Sequence, residues 1–173
     1  KMTSEKRVLV VDVPTKNWGR HEGVAVFLRV VDEVEGEQRH RFYMAKRLAK
    51  DRPFCGAYGA PGGSVEEGET TLVGAVRELF EETGLLIDAT RFVKLERKGP
   101  IHTPVEQHGS GVPYFMQYYG VDLRPGEVPQ VTEPEKQGPW ELRPWMSWIL
   151  GAELCPYSAE MIELFRGMSS RDE

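Results

Sequence analysis

The stretch GGSVEEGETTLVGAVRELFEETGL, residues 62–85, predicts a turn followed by one amphipathic helix. Thr70 or Thr71 begins this helix, because a threonine hydroxyl can accept hydrogen bonds from the first free backbone N–H groups. Gly84 predicts its end, since glycine readily adopts the left-handed conformation of a helix stop. One side of the helix is expected to face the core and carries Leu72, Ala75, Val76, Leu79, Phe80 and Thr83.

Three carboxylates lie on the opposite side of the predicted helix: Glu78, Glu81 and Glu82. Their spacing costs an isolated helix a few tenths of a kcal/mol per pair. One interpretation is an acidic surface that faces water. The other is a site for Mg²⁺ or Mn²⁺, which bind carboxylates together with substrate phosphates. Two neighbours favour the second: Arg77 can orient a carboxylate, and Gly74 leaves the same side open to close approach.

The order of these residues resembles the signature of the Nudix hydrolases at every position. It reads Gly63, five residues, Glu69, seven residues, Arg77-Glu78-Leu79, one residue, Glu81-Glu82, one residue, Gly84-Leu85. With average residue frequencies, a chance match has a probability of roughly 10⁻⁹ to 10⁻¹⁰ per starting position. The resemblance implies an α+β fold: an α/β/α sandwich with a mixed β-sheet, a catalytic loop and helix, and a C-terminal helix.

The resemblance also implies roles for the residues of the signature. Members of this family hydrolyse a nucleoside diphosphate linked to another group, with Mg²⁺ as cofactor and Mn²⁺ as a substitute. The three helical glutamates are then metal ligands, and the Gly62 carbonyl is a further candidate. Arg77 holds Glu78 or Glu69 in place, Glu69 has an orienting role, and Gly63 contacts the substrate. Glu78 is the first choice for the base that deprotonates the attacking water.

A second point of resemblance lies in EPEK, residues 133–136, followed by Trp140. MutT-like members carry a metal-binding glutamate five residues before such a tryptophan, which favours Glu135 as an outer metal ligand or general base. Glu133 is the alternative, and an ordinary loop glutamate is the third interpretation. The pattern EPEK…W…PW is similar to the nucleoside triphosphate diphosphatase branch of the family.

Basic and aromatic residues outside the signature are candidates for nucleotide binding. Arg47 belongs to a short basic group with Lys46 and Lys50. The group is either ordinary surface charge or attracts phosphate at the entrance to the site. Base recognition needs aromatic stacking, although most strand aromatics belong to the core. The aromatic candidates are Tyr114, Phe115, Tyr118, Trp140 and Trp145. The loop 98–112 is long enough to be functional, and its polar residues could line a pocket: His102, Gln107 and His108.

Strands and helices are predicted around the signature by alternating or helical apolar patterns. The predicted strands are residues 7–13, 23–31, 41–45, 92–96, 114–121 and 140–144, with a charged hairpin loop at 32–38. A helical turn is predicted at 145–150. A final amphipathic helix is predicted at 157–168, capped by Ser158, with a buried stripe of Met161, Ile162, Leu164 and Phe165.

The composition fits one globular domain, residues 1–173, without an apolar run long enough for a membrane span. Only two cysteines, 100 positions apart, indicate a reduced, intracellular and cytoplasmic protein. Lys1 before Met2 is either a cloning remnant or the first residue left after removal of a targeting segment, for example a mitochondrial one. The sequence is compatible with a homodimer.

Three functions remain open. The first is Mg²⁺-dependent hydrolysis of a free nucleoside di- or triphosphate to a monophosphate plus phosphate or pyrophosphate. The second is removal of pyrophosphate from the 5′ end of RNA, which the net charge of −5 disfavours. The third is a catalytically weak subunit that binds RNA or protein, which the intact signature disfavours. ADP-ribose and similar sugar-linked compounds are disfavoured, because the sequence shows no motif for them.

Overall fold

The computed structural model describes residues 21–52, 54–96 and 114–170. The strands are β1 (His21–Val34), β2 (Glu37–Lys46), β3 (Tyr58–Gly59), β4 (Gly62–Ser64), β5 (Val93–Leu95), β6 (Tyr114–Asp122) and β7 (Glu141–Pro144). The helices are α1 (Thr71–Thr83), α2 (Trp145–Gly151) and α3 (Ser158–Arg166), with a 3₁₀ turn at Ala89–Arg91. In this part of the chain no helix is long and apolar enough to cross a membrane. The predicted strand 7–13 and loop 98–112, with His102, Gln107 and His108, lie outside the described residues.

The β1–β2 hairpin is tighter than the sequence predicts. Pairing continues to Val34 opposite Glu37, so the predicted charged loop at 32–38 is wrong. Glu35 and Gly36 have φ values of 53° and 81° and form a two-residue turn. Such a turn matches the twist of the two strands and allows their ladder to extend to its edge.

The strands form a mixed sheet, as predicted. Its order is β3-β2-β1-β6-β5, with β4 also paired to β1 and β7 to β2. β1 runs parallel to β6, and the other pairs are antiparallel. β1 therefore lies at the centre, and β4 reaches it from the loop that precedes α1.

Apolar side chains cover both faces of this sheet. One core lies between β1, β6 and α1 and includes Val24, Val26, Leu28, Ala75, Leu79, Tyr119 and Val121. The other joins the sheet to α2 and α3 and includes Phe27, Phe42, Met44, Trp148, Met161, Ile162 and Phe165. Helices thus cover the sheet on both sides, which confirms the predicted α/β/α sandwich.

Helix α1 begins and ends where the sequence predicts, but its buried side is rotated. The Thr70 hydroxyl accepts a hydrogen bond from the Val73 N–H at 3.1 Å, and Gly84 has φ 74°. Phe80, however, is 50% exposed. The helix packs against β4 as well as β1, so its buried arc is centred near Ala75 and Glu82 and excludes Phe80.

Helix α3 differs from its prediction at its first turn. Ser158 is its buried first residue rather than its cap, and Tyr157 precedes it with φ 65°. Of the predicted stripe, Met161, Ile162 and Phe165 are buried and Leu164 is half-buried.

Gly120 of β6 allows α3 to pack against the sheet. A Cβ at this position would lie 2.7 Å from Cζ of Phe165. Gly120→Ala is therefore expected to lower the free energy of unfolding by about 1–3 kcal/mol, as overpacking does. Urea denaturation measures this, and Gly151→Ala is the matched control, because a Cβ there meets no atom within 4 Å. Equal urea midpoints for the two variants would contradict the prediction.

Candidate functional site

A cleft of about 440 Å³ opens beside β1, β4 and α1. Four carboxylate side chains line it: Glu78, Glu81, Glu82 and Glu133. Three basic side chains line it as well: Arg47, Arg52 and Lys136. The fold therefore collects both signs of charge in one concave surface, from segments far apart in the sequence.

Arg77 organises the carboxylates at the edge of the cleft. Its Nε and Nη2 donate to the two oxygens of Glu69 at 3.1 and 2.6 Å. Its Nη1 donates to Glu78 at 3.1 Å and to Glu81 at 3.2 Å, and its Nη2 also donates to the Ser64 carbonyl at 2.9 Å. The hydrogen bond from Arg77 lowers the pKa of Glu69. Arg77 thus contacts both of the partners between which the sequence left a choice.

The two glycines before α1 permit close approach of the helix and the sheet. A Cβ on Gly63 would overlap the Glu78 carboxylate, and a Cβ on Gly62 would overlap the backbone of Val24. Burial raises the pKa of Glu78, while the Arg77 guanidinium opposes this shift. Glu78 therefore lies in a desolvated position between an arginine and a glycine backbone.

Glu82 is the most deeply placed carboxylate of the cleft. Its Oε2 accepts a hydrogen bond from the Gly62 N–H at 2.8 Å. Burial raises the pKa of Glu82 to about 8, and the nearby charges of Glu78 and Glu133 contribute to the increase. The Gly62 contact uses its N–H, and a metal-ligand role for the Gly62 carbonyl stays a prediction.

The donor chemistry of the cleft fits a hard divalent cation, since carboxylate oxygens are what such ions prefer. A buried carboxylate with like charges beside it also gains from a cation. In this conformation, however, no three acidic, histidine or cysteine side chains among the described residues are spaced to hold an ion. Glu78 and Glu81 bond Arg77 instead, and Glu82 bonds Gly62. Cation binding would therefore require side-chain rearrangement.

The structure favours the alternative glutamate of the EPEK segment. Glu133 lines the cleft and its charge acts on Glu78 and Glu82. Glu135, the first choice from the sequence, is exposed and is not among the lining residues. The five-residue spacing to Trp140 fixes a position along the chain, but the turn at 133–137 decides which side chain points inward.

The fold places only some of the predicted substrate-binding residues in the cleft. Arg47 lines the cleft, whereas Lys46 and Lys50 are exposed and do not line it. The Trp140 indole N–H donates to the Gln130 carbonyl at 3.1 Å, which makes Trp140 a loop contact outside the cleft lining. Tyr114 begins β6, but its side chain lies outside the described part of the structure.

Several lining residues were missed by the sequence prediction. Arg52 extends the basic run that begins at residue 46, and Lys136 belongs to EPEK itself, so charge patterning could have found both. The apolar part of the lining comes from the paired strands β1 and β6. It includes Phe27 and Met116, which were missed, and Tyr118, which was a predicted candidate for stacking. The two-residue spacing along β6 is the signal, because alternate residues of a strand face one side.

The sequence of the chain matches known proteins. Residues 14–164 match the NUDIX domain family. An ADP-ribose pyrophosphatase of Methanocaldococcus jannaschii is 31% identical over 110 residues, which cover 62% of this chain. The match spans 63% of the length of that relative, which is less than two thirds.

Solved structures share the fold at low sequence identity. The NUDIX domain of Shewanella oneidensis NrtR, complexed with ADP ribose, matches with a TM-score of 0.64 and 18% identity, covering 95% of this chain and 97% of that chain. A MutT NUDIX hydrolase from Burkholderia pseudomallei matches with a TM-score of 0.57 and 20% identity, covering 82% and 97%. With the family match over most of its length, the chain belongs to the Nudix family.

Proposed function

We propose that this protein hydrolyses the diphosphate bond of a nucleoside diphosphate linked to a further group, with Mg²⁺ or Mn²⁺ as cofactor. The observation that carries the proposal is the placement of four carboxylates and three basic side chains around one cleft. The basic side chains attract a diphosphate, which is anionic. The carboxylates repel it unless a divalent cation lies between them.

Glu78, Glu81 and Glu82 would hold the cation, with Glu133 beside them. A divalent cation held there would supply Lewis-acid chemistry, lowering the pKa of the attacking water and neutralising phosphate oxygens. Arg77 keeps Glu69 and Glu78 in place through its hydrogen bonds. Glu78 lines the cleft beside Arg77, so its carboxylate is the first choice for the group that accepts a proton from the attacking water. In the hydrolysis the water oxygen would bond phosphorus and its proton would pass to the Glu78 carboxylate. The bridging P–O bond would break, and its electron pair would leave on the oxygen of the departing phosphate group.

Two substrate classes are supported by different observations. ADP-ribose is supported by the name of the M. jannaschii relative, so it replaces free nucleotides as the first compound to test. Nucleoside triphosphates are supported by the EPEK…W…PW pattern. Among the apolar lining residues Phe27 and Tyr118 are buried, and half-buried Met116 offers apolar surface for the part of either substrate that carries no phosphate.

A substrate panel tests the proposal. Purified protein is incubated with ADP-ribose, NTPs, dNTPs, oxidised nucleotides and 5′-triphosphorylated RNA, each with MgCl₂, MnCl₂ or EDTA. We expect release of a nucleoside monophosphate from at least one free nucleotide or from ADP-ribose, and loss of this release in EDTA. Turnover that persists in EDTA would contradict the proposal that Mg²⁺ or Mn²⁺ is the cofactor. Pyrophosphate release from RNA alone would favour the RNA 5′ end, and binding of RNA without any turnover would favour a non-catalytic subunit.

A further inference from the structure

Residues 130–138, here called the strap, cross the C-terminal end of α1 on their way from β6 to β7. The last carbonyls of a helix lack partners within the helix. In this protein the strap supplies three hydrogen-bond donors, one for each carbonyl of residues 81–83. The Gln130 N–H donates to the Thr83 carbonyl at 2.8 Å. The Thr132 hydroxyl donates to the Glu81 carbonyl at 2.6 Å, and the Gln137 side-chain amide donates to the Glu82 carbonyl at 3.3 Å.

The other edge of the strap is joined to the end of β2. The Leu48 N–H donates to the Lys136 carbonyl at 2.8 Å, and the Gly138 N–H donates to the Lys46 carbonyl at 2.9 Å. A β-bridge between Arg47 and Gln137 lies between these two bonds. The strap is therefore held on one side by the carboxylate-bearing helix and on the other by the segment that carries Arg47.

Glu133 lies inside the strap, between the two side chains that bond α1. Its carbonyl accepts the N–H groups of Lys136 at 2.9 Å and Gln137 at 3.2 Å, which closes a turn. Its carboxylate accepts a hydrogen bond from the Lys136 ammonium at 2.9 Å and lines the cleft. Glu78 and Glu82 line the same cleft, and their charges repel the charge of Glu133. An untethered loop would relieve that repulsion by turning the carboxylate toward water.

We propose that Thr132 and Gln137 are positioning residues that hold the Glu133 carboxylate in the cleft, where it adds to the binding of a divalent cation. The inference rests on the proposed function, because that function requires the cation. It adds a specific cause: two polar side chains outside the family signature set the affinity of the site through Glu133.

The test is titration of Mn²⁺ into the protein by isothermal calorimetry, without substrate. Thr132→Val keeps the shape of threonine and removes the hydroxyl, and we expect it to weaken Mn²⁺ binding roughly tenfold, as loss of an outer contact does. Thr132→Ser keeps the hydroxyl and is expected to retain wild-type affinity. Glu133→Gln is expected to weaken binding at least as much as Thr132→Val.

A double variant separates positioning from a general effect on the fold. If Thr132 acts through Glu133, then Thr132→Val in the Glu133→Gln background causes no further loss of Mn²⁺ affinity. Additive losses would overturn the inference, and so would wild-type affinity in Thr132→Val. Gln137→Met provides an independent variant with the same expected pattern in case Thr132→Val does not fold.

Failure of this inference is distinguishable from failure of the proposed function. If the wild-type protein binds Mn²⁺ and the strap variants bind it equally well, only the positioning role is overturned. If the wild-type protein binds no Mn²⁺, both the cofactor of the proposed function and the positioning role are overturned.

Discussion

Glu82→Gln is expected to reduce metal-dependent hydrolysis by about 10³-fold or more while the fold survives. A bound cation supplies several kcal/mol of transition-state stabilisation, and each 1.36 kcal/mol corresponds to a tenfold change in rate. The change removes the charge of the most deeply placed carboxylate of the cleft. Its side-chain oxygen still accepts the hydrogen bond from the Gly62 N–H, so the local contact is kept. The measurement is kcat with the best substrate of the panel at saturating Mg²⁺.

Two controls give this result its meaning. Glu163→Gln removes an exposed carboxylate from α3 and is expected to leave kcat unchanged. In EDTA, Glu82→Gln is expected to melt no lower than the wild-type protein. Burial raises the pKa of Glu82, so burying this carboxyl costs the wild-type protein free energy, whereas an amide has no charge to bury or to neutralise. Turnover above about one tenth of wild type would refute the assignment of Glu82 as a metal ligand.

Arg29→Met is expected to have the largest effect on stability, lowering the free energy of unfolding by about 3–5 kcal/mol. The Arg29 side chain is fully buried and pairs with Asp122, with Nη2 and Oδ2 2.8 Å apart. It also donates to the carbonyls of Phe165 at 2.6 Å and Met168 at 2.8 Å, at the end of α3. Methionine keeps the apolar volume but leaves the Asp122 carboxylate and both carbonyls without this donor. Urea denaturation at neutral pH measures the loss.

A surface ion pair provides the comparison. Arg39 bonds Asp32 at 2.9 Å with half of its side chain exposed, so Arg39→Met is expected to cost less than about 1 kcal/mol. Adding Asp122→Asn to Arg29→Met should recover part of the loss, because it removes a largely buried charge that has lost its arginine partner. If Arg29→Met lowered the free energy of unfolding no more than Arg39→Met does, the stabilising role of the buried Arg29 contacts would be contradicted.

Local patterns in the sequence predicted α1 with the greatest accuracy. Thr70 and Gly84 act through hydrogen bonds and φ angles within one turn of the helix, so neighbours along the chain were enough. The hairpin was less well predicted, because the charged residues around Glu35 and Gly36 read as a loop. Their left-handed backbone allows pairing to continue, which composition does not reveal.

At the site, too, tertiary contacts decided where single side chains lie. Glu133 and Glu135 have nearly the same sequence context, and only the contacts of the strap with α1 and β2 direct the first toward the cleft. Trp140 was a candidate for stacking, but its indole N–H bonds a loop carbonyl. Phe80 was expected in the core, but packing against β4 turned it outward.

The sequence by itself determined the bounds of α1, since these depend on capping and short-range periodicity. It also determined the family signature, and the resemblance carried by that signature implied the mixed α/β/α plan. Only the tertiary structure decided which charges share the cleft and how strongly each is desolvated. The pKa of Glu82 is raised because the fold buries its carboxylate and brings the charges of Glu78 and Glu133 close to it. Electrostatic energies depend on the distance between charges in the folded protein and on how far water is excluded from them. The spacing of residues along the chain determines neither.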